Sequence, residues 1–309
     1  MKILISGGSG FVGSNLLRRL VFDGHDISVL IKKGSNIDRL CGLTDKISCY
    51  ESDLGDEKKI YEIVQKVNPQ IIYHLAANQA SPHATNAEKD IQTNIIGTWN
   101  LLKSLSCCNY QLFINAGSSS EYGFKNFSMS EKDVLEPNSY HSFSKGSQTN
   151  LVQCYGLIEN KPVITLRFFS VYGPSERKTR LIPSVVDACI NKKELKLSSP
   201  ETVRDFVYVD DVIDICTNFD KLGRNTGQIF NVGTGIPTTI KKVVDIVSEL
   251  SGFKPDCIWN KDNRSWDSKV WFSDCEKTKS ILEWQHSIDI VSGLEKTLNW
   301  FKNERDRRS

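Results

Sequence analysis

No stretch of the chain stays apolar for the ~20 residues needed to cross a bilayer. Only about five apolar residues precede the first glycines, too few for the core of a secretory signal. These shortfalls predict a cytoplasmic protein with no membrane partner. A charge of one sign is also missing: 39 Lys and Arg stand against 37 Asp and Glu, a net of +2. No basic cluster interleaved with aromatics is present, which argues against nucleic acid as a partner. The nine cysteines are odd in number and lack a paired spacing, with Cys107 and Cys108 adjacent. Buried, reduced thiols account for them better than disulfides or zinc, and no metal site is expected. Internal repeats are lacking too, which excludes a solenoid.

A chain of 309 residues suits two units, or one large α/β domain with an appendage. It opens with an apolar strand that runs into a glycine-rich turn and then into an amphipathic helix, predicted over Phe11 to Phe22. Gly7, Ser9, Gly10, Phe11, Val12 and Gly13 make up the turn and the start of the helix. Glycines at 7, 10 and 13 let the backbone turn tightly, approach a pyrophosphate and pack helix on strand. The helix N-terminus adds N–H groups and a positive dipole end. The spacing is Gly-x-x-Gly-x-x-Gly, and the strand before it and the helix after it are the context that points to a dinucleotide. A second strand, Ile27 to Ile31, ends in Lys32 and Lys33. A carboxylate here accepts from the ribose hydroxyls and repels a 2′-phosphate; two lysines in its place favour NADP, with NAD the alternative.

Further strands are predicted at Ile47 to Tyr50, Ile71 to Leu75, Leu112 to Ala116 and Val163 to Phe168. They alternate with helices at Glu57 to Val67, stopped by Asn68-Pro69, at Asp90 to Leu105, and from Pro137 onward. In the helix from Asp90, the apolar residues Ile91, Ile95, Ile96, Trp99 and Leu102 fall at helical spacing. Such alternation predicts an α/β fold, a Rossmann-type doubly wound parallel sheet. The texture changes later, with helices predicted around 182–190, 239–250 and 289–302. The reading is an NAD(P)-binding Rossmann domain over 1–170, with returning segments at about 204–235. A smaller discontinuous α/β substrate domain takes 171–203 and 236–309.

Several ordered motifs share the chain with the glycine turn. They are Asp53, His74-Leu75-Ala76-Ala77, Asn94, the serines before Tyr122-Gly123, Lys145, Leu166 to Pro174, Val203 to Asp211 and Phe230 to Gly235. In this order they resemble the extended short-chain dehydrogenase/reductase family, and within it the nucleotide-sugar epimerases, dehydratases and ketoreductases. The resemblance implies that Asp53 and Leu54 hold the adenine and that Leu75, Ala76 and Ala77 line the cofactor. It also implies that Asn94 supports the active site from its helix. From the residues alone, Asp53 also reads as a cap for the helix that follows. The family chemistry is transient hydride transfer at a sugar carbon. A tyrosine moves the proton, a lysine four residues later lowers its pKa and binds the ribose, and a Ser or Thr orients the sugar oxygen. Ser118 occupies the last of these positions and Lys145 the lysine position. A four-residue separation keeps both helical side chains on one face, about 40° apart.

The chain departs from this pattern at one catalytic position. Four residues before Lys145 stands His141, and Tyr140 stands five before, about 100° further around an ideal helix. Three readings stay open. His141 is itself the proton carrier, since an imidazole titrates near 6.5 and needs no lysine to bring it into range. Or Tyr140 lies ahead of the first regular turn and swings into the site. Or the usual catalyst is missing, which leaves slow chemistry, another residue in the role, or a regulatory or scaffold protein that only binds a dinucleotide. A second departure bears on the reaction. Dehydratases of the family place an acid pair directly after the Ser or Thr, whereas this chain has Ser119 and Ser120, with Glu121 one position late. Dehydration is therefore disfavoured.

For the substrate, Arg204 and Arg264 match family positions for arginines on the nucleotide diphosphate, and Arg177 and Arg180 lie in a segment nearby. Ser119 is a further substrate candidate, and Ser170 replaces an asparagine usual before Val-Tyr-Gly-Pro. Trp259, Trp266 and Trp271 read equally as base-stacking or core residues. The expectation is an NAD(P)-dependent enzyme on a nucleotide-sugar substrate, a 4-keto-sugar reductase with epimerisation the alternative. A homodimer paired through helices 90–105 and 139–158 follows from the resemblance.

Overall fold

The computed structural model describes residues 1–78, 86–260 and 268–306. Strand β1 (Lys2–Ser6) is so apolar that Ile3, Leu4 and Ile5 are all fully buried, as a strand covered on both faces must be. It leads through the glycine turn into α1 (Phe11–Phe22), whose Leu16, Leu17 and Leu20 face the sheet. Strands β2 (Asp26–Ile31) and β3 (Ser48–Glu51) follow. Helix α2 (Glu57–Val67) buries Ile60, Ile63, Val64 and Val67, and Asn68 ends it in the left-handed region with Pro69 behind it. Then come β4 (Ile71–His74), β5 (Leu112–Ser118) and β6 (Val163–Phe168). In the seven-stranded sheet Ile229–Val232 lies beside β6, and β5, β4, β1, β2 and β3 follow in that order. The β1 to β6 pairings are all parallel. This is the Rossmann-type arrangement, and the strand order reverses beside the C-terminal end of β1.

The chain divides into two compact units. The first comprises Met1–Gly123, Asp133–Phe168 and Ile213–Phe230; the second comprises Phe124–Lys132, Phe169–Val212 and the chain from Asn231 onward. The returning segment is thus shorter than 204–235. Residues 204–212 stay with the second unit because Phe206–Tyr208 pairs in parallel with Ser170–Tyr172, and Arg204 pairs with Thr238. Fully buried Asp205 adds a latch, accepting from Thr234 N (2.7 Å), Thr234 Oγ1 (2.6 Å), Gly235 N (3.0 Å), Ser273 N (3.1 Å) and the Ser273 hydroxyl. Helices Leu181–Asn191, Ile240–Ser251, Glu276–Leu282 and Ile290–Asp306 also belong to this unit.

The helix predicted from Asp90 is not uniform. Ala87–Asp90 and Gly97–Ser104 are α-helical, and Ile91–Ile96 between them is a π segment. Ile91, Ile96 and Trp99 end up exposed, while Asn94 and Thr98 are fully buried.

All nine cysteines are unpaired thiols. Burial, however, holds only for Cys108, Cys189 and Cys216. Cys41, Cys49, Cys107 and Cys154 are exposed, Cys49 because β3 is a sheet edge. Among the described residues no helix is long and apolar enough to cross a membrane.

Candidate active site

The first turn has the geometry of an anion cradle. Gly7 has φ +78°, and a Cβ there would stand 2.5 Å from Ala76 N; a Cβ on Gly13 would stand 2.3 Å from the Gly7 carbonyl oxygen. Only glycine fits either place. Gly10 is the N-cap of α1 and supplies no side-chain cap, so the first N–H groups of the helix keep their donors for a ligand. These features, together with Ser9, Phe11 and Val12 at the helix start, fit the pyrophosphate of a dinucleotide.

At the next strand ends, Lys32 Nζ lies 2.7 Å from Asp53 Oδ2, while Asp53 Oδ1 accepts from Gly55 N at 2.9 Å. The hydrogen bond from Lys32 holds the Asp53 carboxyl below its ordinary range. Asp53 does not cap α2; Asp56 does, accepting from Lys59 N at 3.0 Å. Leu54 is buried beneath the 87–104 helix, and its carbonyl accepts from Asn100 Nδ2. Lys33 is exposed.

Leu75, Ala76 and Ala77 follow β4 directly, and the histidine before them proves to be a buried tether. His74 lies between Ser6 Oγ and Thr98 Oγ1, each at 2.7 Å. Because Thr98 donates its own proton to Asn94 O (2.7 Å), its oxygen accepts from His74 Nε2–H, and Nδ1 accepts from Ser6. Full burial, with the charge of Lys145 as a lesser cause, pushes the His74 pKa down to about 3, so the ring is neutral. Asn94, inside the π segment, accepts from Asn78 N and donates to Ser144 Oγ, both at 2.8 Å. It thereby ties the loop after β4 to the Tyr140–Ile158 helix.

That helix carries the proton-transfer candidates. Ser139 caps it, accepting from Ser142 N (3.1 Å), while Ser142 Oγ accepts from Ser139 N (2.9 Å). The helix therefore starts at Tyr140, and the reading that set Tyr140 ahead of the first turn does not hold: Tyr140 is helical and 57% exposed. His141, half-buried, is the second residue, and its carbonyl accepts from Ser144 Oγ at 2.9 Å. One turn on, the Lys145 ammonium donates to Ala116 O of β5 and to Gln148 Oε1, each at 2.6 Å. Burial brings its pKa down to about 8 against the opposing pull of Glu121.

Ser118 closes β5, and its hydroxyl meets Ser120 Oγ at 2.8 Å and accepts from Ser120 N at 3.1 Å. Ser119 is buried in the short turn that follows, Ser119–Tyr122. Glu121 is fully buried in the same turn. Its Oε1 accepts from Ser118 N (2.7 Å) and Thr149 Oγ1 (3.0 Å), and its Oε2 pairs with Arg167 Nε at 2.8 Å. Arg167 also donates to Tyr122 Oη at 3.1 Å and lies over the Tyr122 ring. Every acceptor atom of Glu121 is engaged in holding the turn. Sequence reasoning weighed Glu121 only as a displaced acid, because its partners Thr149 and Arg167 lie 28 and 46 residues away.

In the second unit, Ser170 N donates to Asp205 O. Arg204 donates through Nη1 to Val203 O (2.7 Å) and Ser268 O (2.9 Å), with its guanidinium 6.0 Å from the Trp271 ring centre. Arg177 and Arg180 are exposed; Arg180 lies 3.7 Å from Glu176 and occupies the N-cap position of the Leu181–Asn191 helix without a side-chain cap. Trp259 stands in a short strand with Cys257. Arg264 and Trp266 lie outside the described residues.

The model of the NAD dependent epimerase/dehydratase family matches residues 3–233. The dTDP-glucose 4,6-dehydratase of Haemophilus influenzae is 26% identical over 340 aligned residues, covering 97% of this chain and 98% of its own. The crystal structure of UDP-glucose 4-epimerase from Thermotoga maritima with UDP-glucose superposes with a TM-score of 0.89 at 25% identity, over 99% of this chain and 100% of that one. A dTDP-glucose 4,6-dehydratase from Bacillus anthracis str. Ames in complex with NAD shares the fold, with a TM-score of 0.86 at 24% identity over 99% and 98% of the two chains.

Proposed function

The chain belongs to the NAD dependent epimerase/dehydratase family, and from that premise we propose that it reduces a 4-keto group on a nucleotide-activated sugar, using NADPH. The observation that carries this reading is the engagement of Glu121. Eliminating water needs a base at one carbon and an acid at the next. Ser119 and Ser120 occupy the places after Ser118 where an acid pair is required, and Glu121 is spent on Arg167, Thr149 and the Ser118 amide. A hydride-transfer site with one proton to deliver is what these residues can serve.

In this reading the glycine turn grips the pyrophosphate, and Lys145 takes the nicotinamide ribose. When bound, the dinucleotide supplies the hydride. Ser118 orients the sugar oxygen by hydrogen bonding, and His141 gives that oxygen its proton. Asn94 and Thr98 hold the helix and β4 in register behind it. Lys33 attracts the 2′-phosphate, while Arg177, Arg180, Arg204 and Arg264 are assigned to the nucleoside diphosphate. The protein is proposed to work as a cytoplasmic homodimer paired through the helices at 90–105 and 139–158, on which Ile91, Ile96, Trp99 and Phe143 are exposed.

One observation favours a second reading. Lys32 is already matched by Asp53, which reduces the positive charge offered to a 2′-phosphate and suits an epimerase that keeps NAD. The fate of the cofactor separates the two. The purified protein is offered nucleoside-diphospho-4-keto sugars with NADPH, and absorbance at 340 nm is followed. Stoichiometric oxidation supports reduction. Epimerisation by protein carrying tightly held NAD, without added cofactor, defeats it; dinucleotide binding with no turnover on the whole panel supports the regulatory or scaffold reading.

A further inference from the structure

Behind Lys145 runs a chain of side-chain amides, fully buried at Gln148 and Asn115, that the proposed reaction has not used. Gln148, one turn along the helix from Lys145, receives the ammonium on Oε1 at 2.6 Å and donates from Nε2 to Asn115 Oδ1 at 3.0 Å. Asn115 on β5 donates in turn to Thr165 Oγ1 on β6 at 3.2 Å, and Gln153 Nε2 donates to the same oxygen at 3.1 Å. The direction of this chain is fixed. Asn115 spends its N–H on Thr165, so its oxygen faces Gln148; Gln148 spends its N–H on Asn115, so its oxygen faces Lys145. Both amide dipoles therefore turn their negative ends toward the ammonium, and a flip of either would set donor against donor.

We propose that Gln148 is a positioning residue for the reaction: its amide, oriented through Asn115 and Thr165, holds the Lys145 ammonium at Ala116 O, one helical turn from His141. Lysine is a flexible four-carbon stem with a point charge, and a buried ammonium without acceptors is costly. Two short bonds, one from strand and one from helix, locate that charge and keep it protonated. Among the described residues, the other charged or titratable groups beside it include Glu121, matched by Arg167, neutral His74 on β4, and His141 on its own helix. Gln148 is the neutral acceptor that completes the set.

The role in catalysis rests on the reductase reading, but the test does not. The full-length protein is labelled with lysine carrying 13C at Cε, and the Lys145 signal is identified by its loss in Lys145→Arg. Its titration midpoint in the wild type is expected near 8. Gln148→Met is expected to lower the midpoint by about one pH unit, the worth of one charge-assisted hydrogen bond, and Gln148→Glu to raise it by at least as much. Gln148→Glu keeps an acceptor in place and carries the test where Gln148→Met fails to fold. Midpoints within about 0.2 of wild type in the folded variants overturn the proposal and leave Gln148 a packing residue. Absence of dinucleotide binding by the wild type defeats the reductase reading instead, and leaves this titration standing.

Discussion

If Glu121 is a brace and not a catalytic acid, its removal must register in stability before it registers in chemistry. The carboxylate is fully buried and meets Ser118 N at 2.7 Å, Arg167 Nε at 2.8 Å and Thr149 Oγ1 at 3.0 Å. Glu121→Gln keeps the shape but leaves the Arg167 guanidinium, 3% exposed, without its counter-charge. Breaking a buried pair from one side costs about 3–5 kcal/mol, whereas removing both charges costs much less than the sum. The double variant Glu121→Leu/Arg167→Met is therefore expected to be more stable than either single variant predicts, with a coupling of about 2–3 kcal/mol. Urea unfolding of the wild type, Glu121→Leu, Arg167→Met and the double closes this cycle, with Glu121→Gln measured beside it. A Glu121→Gln protein as stable as wild type but inactive would refute the reasoning and restore Glu121 as an acid.

Other consequences can be checked as directly. Gly13→Ala drives a methyl to 2.3 Å from the Gly7 carbonyl, and we expect a loss of about 1–3 kcal/mol of stability together with at least tenfold weaker dinucleotide binding by fluorescence titration. Lys33→Ala should weaken NADPH binding about tenfold, as loss of one charge-assisted contact, and leave NADH binding nearly unchanged; equal effects on both would remove Lys33 from the 2′-phosphate. For His74, the folded pKa of about 3 lies below the ordinary 6.5, so between those values the unfolded chain binds a proton that the folded chain does not. Its stabilising contribution is whole above about pH 6.5 and declines as pH falls, by about 1.4 kcal/mol per unit, until the folded site titrates. In urea unfolding from pH 7 to pH 4, His74→Gln should show a pH slope shallower by one proton.

What could be read in advance was local. The strand, glycine turn and helix at the N-terminus follow from adjacent residues, as do the stop at Asn68-Pro69 and the alternation that makes the sheet. What could not be read depended on distance or on register. A π segment is a change in hydrogen-bond partner, and composition carries no mark of it; the spacing of Ile91, Ile96 and Trp99 likewise does not say whether they turn inward or, as found, outward. Asp53 reads as a cap on paper, but the helix begins at Glu57, so Asp56 stands at its cap, and Asp53 pairs instead with Lys32, 21 positions back. Residues 204–212 look apolar enough for the main sheet, yet Phe206–Tyr208 finds its partner in Ser170–Tyr172. Gln148 stood three residues from Lys145 in plain view, but only Asn115 on a neighbouring strand gives its amide a direction.

In the proposed dinucleotide-dependent reduction His141 delivers the proton, and the chemistry turns on that step. It is tested most directly by comparing His141→Phe and Tyr140→Phe with wild type, following NADPH oxidation with a nucleoside-diphospho-4-keto sugar across pH 5 to 9. Loss of a positioned general acid predicts a fall in kcat of about 10²–10⁴-fold for His141→Phe, and only a small change for exposed, helical Tyr140→Phe. Full activity in His141→Phe would contradict the account, most plainly if Tyr140→Phe were the inactive one.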